Sequence, residues 1–237
     1  MATKLGQSLG DLVTRSPAAA RVFERVGIDY CCRGNRTLAE AADEAGVDAA
    51  TLADELDGLE QTADDDWPSL APADLADDIV ATHHAYLRDE LPLLTELAAK
   101  VERVHGARHP ELANVHTLVE MLRADLEPHL DKEEQVLFPA IRALLADGPR
   151  AFAFGAVTNP IRMMTVEHEQ VAEIFDALRR ATDDYHVPTD ACASYRSLYE
   201  RLPALEHDTH VHIHKENHVL FPAAVEAAEP STSDSGG

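Results

Sequence analysis

Over most of the chain the apolar residues recur at intervals of three and four, the spacing of helices that bury one face. Four long stretches follow this rule. The first runs from about Ala73 through Ile79, Val80, His84, Leu87 and Leu91 to about Val104. The second covers roughly Glu111 to Leu145, along Leu118, Leu122, Asp125, His129, Glu133 and Leu137. The third, from about Asn159 to Arg180, carries Met164, His168, Val171 and Phe175. The fourth, roughly Ala191 to Ala228, carries Leu198, Leu202, Leu205, Asp208, His212, Glu216 and Leu220. Long helices joined by short loops predict an all-α fold, an antiparallel up-down four-helix bundle. Pro139, Pro203 and Pro222 are expected to kink or end helices locally.

The pattern is shorter toward the amino end. Residues 1–60 read as a small helical domain, with a start signal at Ser16-Pro17, a stop at Gly27 and a capping-box form in Thr37 to Glu40. Asp48 or Thr51 can cap a further helix. Residues 61–72, polar and proline-bearing, predict a linker in which Trp67 pins the chain to a neighbour. Residues 73–228 form the bundle, and 229–237, rich in Pro, Ser and Gly, predict a disordered tail.

The polar residues inside the stripes carry the chemistry. His129, Glu133 and Val136-Leu137-Phe138-Pro139 reappear at the same spacing as His212, Glu216 and Val219-Leu220-Phe221-Pro222. In each copy the histidine and glutamate are four apart, so both point from one helix face, and the apolar residues that follow turn that face inward. A lone histidine on such a face is more often a satisfied core residue than a ligand. Repetition reverses that expectation, because a buried Glu costs several kcal/mol unless paired or metal-bound.

A symmetric site asks the first helix of each hairpin for one more imidazole, and His84 and His168 lie on the inward stripes. His83 is expected to point elsewhere. The set His84, His129, Glu133, His168, His212 and Glu216 is enough for two metals bridged by carboxylates. Nitrogen and oxygen donors without thiolate favour iron or manganese over structural zinc, and leave positions open for oxo, hydroxo or a small substrate. His210 and His214, outside the set and one stripe away from His212, are its rivals. Asp125, Asp208 and Glu167 stand near the ligands; each either accepts a ligand's free N–H or makes an ordinary salt bridge.

Composition narrows the partners. In 237 residues there are 20 basic and 43 acidic side chains, a net charge of −23, which disfavours nucleic acid and anionic membrane surfaces. The start lacks the form of a secretion signal, and no apolar run is long enough to span a bilayer, so a cytoplasmic protein is expected.

Three cysteines do not make a secreted disulfide framework. Cys31 and Cys32 lie in a loop between Gly27 and Gly34, and adjacent residues cannot easily bridge each other. They read either as reactive thiols, activated by Arg33, Arg36 and a nearby helix amino end, or as a half-buried packing pair. Cys192 is expected in the core.

These motifs together resemble the iron-sulfur cluster repair proteins, also called repair of iron centres, which have a hemerythrin-like di-iron domain. The resemblance rests on Asp29-Tyr30-Cys31-Cys32 with Thr37-Leu38-Ala39, Asp66-Trp67, His84 with Arg88 and Leu91-Pro92, and Lys100 to His105. It rests also on Lys132 to Pro139, Glu167-His168-Glu169, and Glu216-Asn217 with Val219 to Pro222. It covers most of the chain, departing at Arg33, where a glycine is common, and in the tail from Glu229.

The resemblance implies an oxo- or hydroxo-bridged non-haem di-iron centre. Its ligands would be His84, His129, His168 and His212, with Glu133 and Glu216 bridging. It also implies a role, under nitrosative or oxidative stress, in restoring damaged iron-sulfur clusters, with damaged or apo iron-sulfur proteins as partners. The first reading is an iron donor assisted by Cys31 and Cys32. Reduction of nitric oxide or a peroxide at the same site, or sensing of O2 or NO, are the alternatives, and the reading admits a homodimer.

Overall fold

The computed structural model describes residues 2–59 and 67–229. Residues 61–66 of the expected linker and 230–237 of the expected tail lie outside the described residues. Among the described residues the chain is helical, with isolated antiparallel bridges only between Ser8 and Thr37 and between Phe152 and Gly155.

The amino-terminal part holds five short helices, α1 (Ala2–Leu5), α2 (Leu9–Arg15), α3 (Ala19–Arg25), α4 (Leu38–Ala45) and α5 (Ala49–Asp57). Their ends are set by side chains. Ser8 accepts the Asp11 N–H at 3.0 Å, and Thr37 and Glu40 form the expected capping box. Asp48, not Thr51, caps α5, accepting the Thr51 N–H at 2.8 Å. Gly27, at φ +70°, turns the chain after α3 in a conformation open to glycine. A turn at Trp67–Ser69 then buries Trp67 edge-on to His214 and under the Lys215 ammonium, so this residue does pin the chain.

The bundle follows as α6 (Pro72–Ile79) and α7 (Ala85–His105), α8 (Leu112–Lys132) and α9 (Phe138–Asp147), α10 (Thr158–Thr182), and α11 (Ala193–Lys215) and α12 (Phe221–Ala228). The paired helices are continuous. They are joined by wide π turns at Val80–His84, Glu133–Leu137 and Glu216–Leu220. Pro139 and Pro222 therefore do not end the helices. Each sits in the first turn after a π turn, where a proline needs no backbone N–H, and Pro203 lies inside an uninterrupted α11.

Two apolar layers define the topology. One contains Leu91, Leu122, Phe175 and Leu202 and extends without a break into Leu9, Phe23, Leu38 and Leu52 of the amino-terminal helices. The other contains Leu75, Ile79, Phe138, Met164 and Phe221. Along the chain the four long stretches cross from second layer to first, first to second, second to first and first to second. That alternation is the up-down arrangement. His84, His129, Glu133, His168, His212 and Glu216 all fall between the layers and are all buried.

Of the repeated Val-Leu-Phe, only Leu and Phe go fully inward; Val136 is exposed. Cys192 is exposed rather than in the core, because it stands one residue before α11 in extended conformation. Its Sγ contacts His105 Nε2 at 3.1 Å. Among the described residues no helix is long and apolar enough to cross a membrane.

Candidate metal centre

Each ligand candidate arrives on a helix whose inward face the apolar layers have already fixed. His129 and Glu133 bracket one turn, as do His212 and Glu216, and the Nε2 to Oε1 distances are 3.3 and 3.1 Å. Three of the four helix stretches make a π turn here, beginning at Glu133 and Glu216 and ending at His84. The extra residue in such a turn shifts the register of the side chains that follow, and such turns are frequent at functional sites.

The six side chains form two groups. His84, His212, Glu133 and Glu216 each offer one atom to the first, and His129, His168, Glu133 and Glu216 to the second, with the atoms of each group within 4.8 Å of one another. The carboxylates are shared oxygen by oxygen. Glu133 turns Oε2 to His84 Nε2 (3.4 Å) and Oε1 to His129 Nε2 (3.3 Å). Glu216 turns Oε1 to His212 Nε2 (3.1 Å) and Oε2 to His168 Nε2 (3.1 Å).

The hydrogen bonds on the outer side of the rings fix their tautomers. His84 Nδ1–H donates to Glu134 Oε1 at 2.9 Å, and His129 Nδ1–H to Glu167 Oε2 at 2.8 Å. His168 Nδ1–H donates to Asn217 Oδ1 at 3.1 Å. In the neutral ring each of these bonds leaves Nε2 unprotonated and aimed inward. His168 and His129 bring such nitrogens to 3.2 Å of each other, and His84 and His212 approach to 3.3 Å. Two neutral rings placed so would face lone pair to lone pair, and a proton or a metal ion between them removes that repulsion.

The carboxylates make the same demand. Both are fully buried, and Glu133 Oε1 and Oε2 and Glu216 Oε2 accept no hydrogen bond among the described residues. Burial pushes the Glu133 carboxyl up, but His129, His212 and His84 pull it well below the usual range. Burial disfavours charge on His129 and His212, yet the carboxylates hold them at about 9 and about 10. The pocket favours cationic neighbours for its carboxylates. The donor set suits a metal of hard or borderline character.

The neighbours differ in part from expectation. Glu167 does accept a ligand's N–H, but that of His129, and it also takes the Lys132 ammonium. Asp208 serves no ligand directly. It accepts from His83 Nδ1 at 2.8 Å, and His83, buried instead of pointing away, stacks on His212 at 5.7 Å. Asp125 is exposed, outside the site, because Leu126 takes the inward position that precedes His129. His214 is buried outside the set, against Thr14 Oγ1 (3.0 Å), and His210 lies 3.7 Å from Glu24.

The sequence reading gave Glu134 and Asn217 no role beside the ligands and turned His83 away from the site, although the repeat points to all three. Glu134 follows Glu133 as Asn217 follows Glu216, and His83 precedes His84 as Glu167 precedes His168. Reading one residue to either side of each ligand in both copies would have found all three.

Cys31 and Cys32 sit where the amino-terminal helices meet the bundle. Cys31 is buried and Cys32 half-buried, with the sulfurs 3.7 Å apart and unbridged. The Cys31 carbonyl accepts from Asn217 Nδ2 at 3.1 Å and from His218 Nε2 at 3.0 Å. Arg33 and Arg36 both pair with Glu44, and Arg36 also donates to the Asp29 carbonyl; among the described residues neither guanidinium is paired with a cysteine sulfur. The Cys32 sulfur and burial hold the Cys31 thiol well above the ordinary range.

Comparison with known proteins agrees with this geometry. Residues 75–224 match the Hemerythrin HHE cation binding domain, and residues 5–60 match ScdA_N, a domain of unknown function. Over 220 residues, 92% of this chain and 96% of the relative, the chain is 36% identical to the iron-sulfur cluster repair protein YtfE of Enterobacter sp. (strain 638). Proteins of the same name from Escherichia coli O157:H7 and Salmonella schwarzengrund (strain CVM19633) match over the same span at the same identity.

Proposed function

The chain belongs to the family of iron-sulfur cluster repair proteins, and we propose on that premise that it repairs damaged clusters by giving up iron held between its two apolar layers. The iron is cargo. Its holders are His84 and His212 on one side and His129 and His168 on the other, with Glu133 and Glu216 spanning both. The observation that carries this reading is the sharing of each carboxylate, one oxygen to each group of donors. Two ferrous ions would fill the two groups, and ligands that are all imidazole or carboxylate hold ferrous iron less firmly than thiolates would.

The residues around the holders have distinct tasks. Glu134, Glu167 and Asn217 keep three imidazoles in the tautomer that leaves Nε2 free. The apolar layers on either side keep bulk water from the carboxylates. Targets are damaged or apo iron-sulfur proteins, met in the cytoplasm under nitrosative or oxidative stress.

The test is metal content followed by anaerobic incubation with an apo iron-sulfur protein. Two irons per chain, lost as the recipient's cluster absorption returns, are expected. Iron that stays bound while nitric oxide is consumed with a reductant over many turnovers would replace donation by a reductase.

A further inference from the structure

Outside the histidine and carboxylate centre, the described residues contain one other group whose ligand atoms lie within 4.8 Å of each other: Asp29, Cys31 and Cys32. We propose that these residues form a second cation site, a dithiolate-carboxylate site where a ferrous or similar borderline divalent ion rests between the buried centre and a recipient protein. The inference rests on the donor reading for the identity of the ion, while the site itself is argued from geometry.

The sulfur spacing is the first argument. In a tetrahedral site with bonds of about 2.3 Å to sulfur, two thiolates stand about 3.8 Å apart. Cys31 and Cys32 stand 3.7 Å apart. A disulfide would need about 2.05 Å. Asp29 Oδ1 is 3.4 Å from Cys31 Sγ, close to an oxygen-to-sulfur edge of the same tetrahedron.

The loop holds this arrangement in place. Asp29 Oδ1 accepts the backbone N–H groups of Cys31 at 3.0 Å and Cys32 at 2.9 Å, so the carboxylate is set beside both cysteines before any ion arrives. Arg36 Nη2 donates to the Asp29 carbonyl at 3.0 Å and closes the loop from behind. On binding, each thiol releases its proton to solvent, and a divalent ion then faces two thiolates and one carboxylate. The fourth position is left for water or for a donor from the recipient.

An approach exists for that donor. Cys31 and Cys32 line a cavity of about 590 Å³ whose other walls include Asn217, His218 and Phe221. Asn217 joins this cavity to the centre, since its Nδ2 donates to the Cys31 carbonyl while its Oδ1 accepts from His168. A single side chain thus touches the cysteine loop and a metal-holding imidazole.

The experiment uses the full chain, reduced and anaerobic, with its histidine and carboxylate centre already filled with iron, and cobalt(II) as the probe. The expected result is one further cobalt per chain with a thiolate-to-cobalt charge-transfer band, and thiols that alkylate several-fold more slowly. Cys32→Ser, at a half-buried position, should abolish the band while iron content stays unchanged. Asp29→Asn, which keeps an acceptor for the loop N–H groups, should weaken cobalt binding roughly tenfold or more. Cobalt bound without a thiolate band, or alkylation rates unmoved by cobalt, overturns the site. If the band appears but the chain never passes iron to an apo iron-sulfur protein, the donor reading fails and the site stands.

Discussion

His168 and Asn217 are joined by a hydrogen bond of 3.1 Å in which the ring Nδ1–H donates to the amide oxygen. Asn217 is thereby to His168 what Glu134 is to His84, the residue after a shared carboxylate that orients the imidazole of the preceding helix. Removing such a partner typically costs 10–100-fold in metal affinity, roughly speaking. Asn217→Ala is therefore expected to surrender iron to a chelator at least ~10-fold more readily. Asn217→Asp, which restores the acceptor, should retain iron better than Asn217→Ala. Equal retention by all three proteins would mean that the bond does not orient the ring.

The sharing of carboxylates makes the ligands unequal. Glu133 faces His84 and His129 at once, whereas His84 belongs to only one of the two donor groups. Glu133→Gln is thus expected to weaken both iron positions and His84→Ala chiefly one. Iron counted per chain after gel filtration should fall toward none for the first and toward one for the second. Matching stoichiometries in the two variants would show that the carboxylate does not bridge.

Most of this centre was legible in the chain because its signals are local and repeated. The period of three and four placed His84, His129, Glu133, His168, His212 and Glu216 inward, and the second copy argued against coincidence. What escaped lies in the finer period of a single helix and in contacts across the fold. Asp125 satisfies a spacing of four before His129, yet the true period of 3.6 gives the inward place to Leu126. Arg33 and Arg36 are near Cys31 in sequence, but both pair with Glu44 on α4, and Arg36 turns its other nitrogen to the Asp29 carbonyl. Each π turn contains a ligand and only two of the three are followed by a proline, and the stripe itself gives no measure of a widened turn.

Acid should loosen the seam between the amino-terminal helices and α11. Glu24 on α3 accepts from Tyr30 Oη at 2.9 Å and from His207 Nδ1 at 2.8 Å. Burial pushes its carboxyl up, but the bonds from His207 and His210 bring it down to about 2 from an ordinary 4.5. A depressed carboxylate stabilises the fold in full above its unfolded value and loses that contribution as pH falls toward its folded one. The loss is up to about 3 kcal/mol between roughly pH 4.5 and 2. Glu24→Gln should lower the melting temperature at pH 7 and flatten the fall below pH 4.5. An acid limb as steep as wild type would remove Glu24 as its origin.

The same seam holds a steric device that can be tested by rescue. A Cβ on Gly10 would stand 2.4 Å from His218 Nδ1, and one on Gly34 would stand 2.5 Å from His218 Nε2 and 2.2 Å from the Tyr30 carbonyl. The two glycines leave room for a ring that donates to the Cys31 carbonyl. Gly10→Ala is expected to destabilise by about 1–3 kcal/mol through overpacking. This exceeds the ~0.5–1 kcal/mol that alanine gains over glycine in a helix. Adding His218→Ala empties the contested space, so the double variant should be at least as stable as His218→Ala alone. Gly34→Ala should not be rescued in this way, because the backbone carbonyl remains in its path. Thermal melts of the two cycles decide the matter, and additive effects at Gly10 and His218 would show that the ring is not what the glycine accommodates.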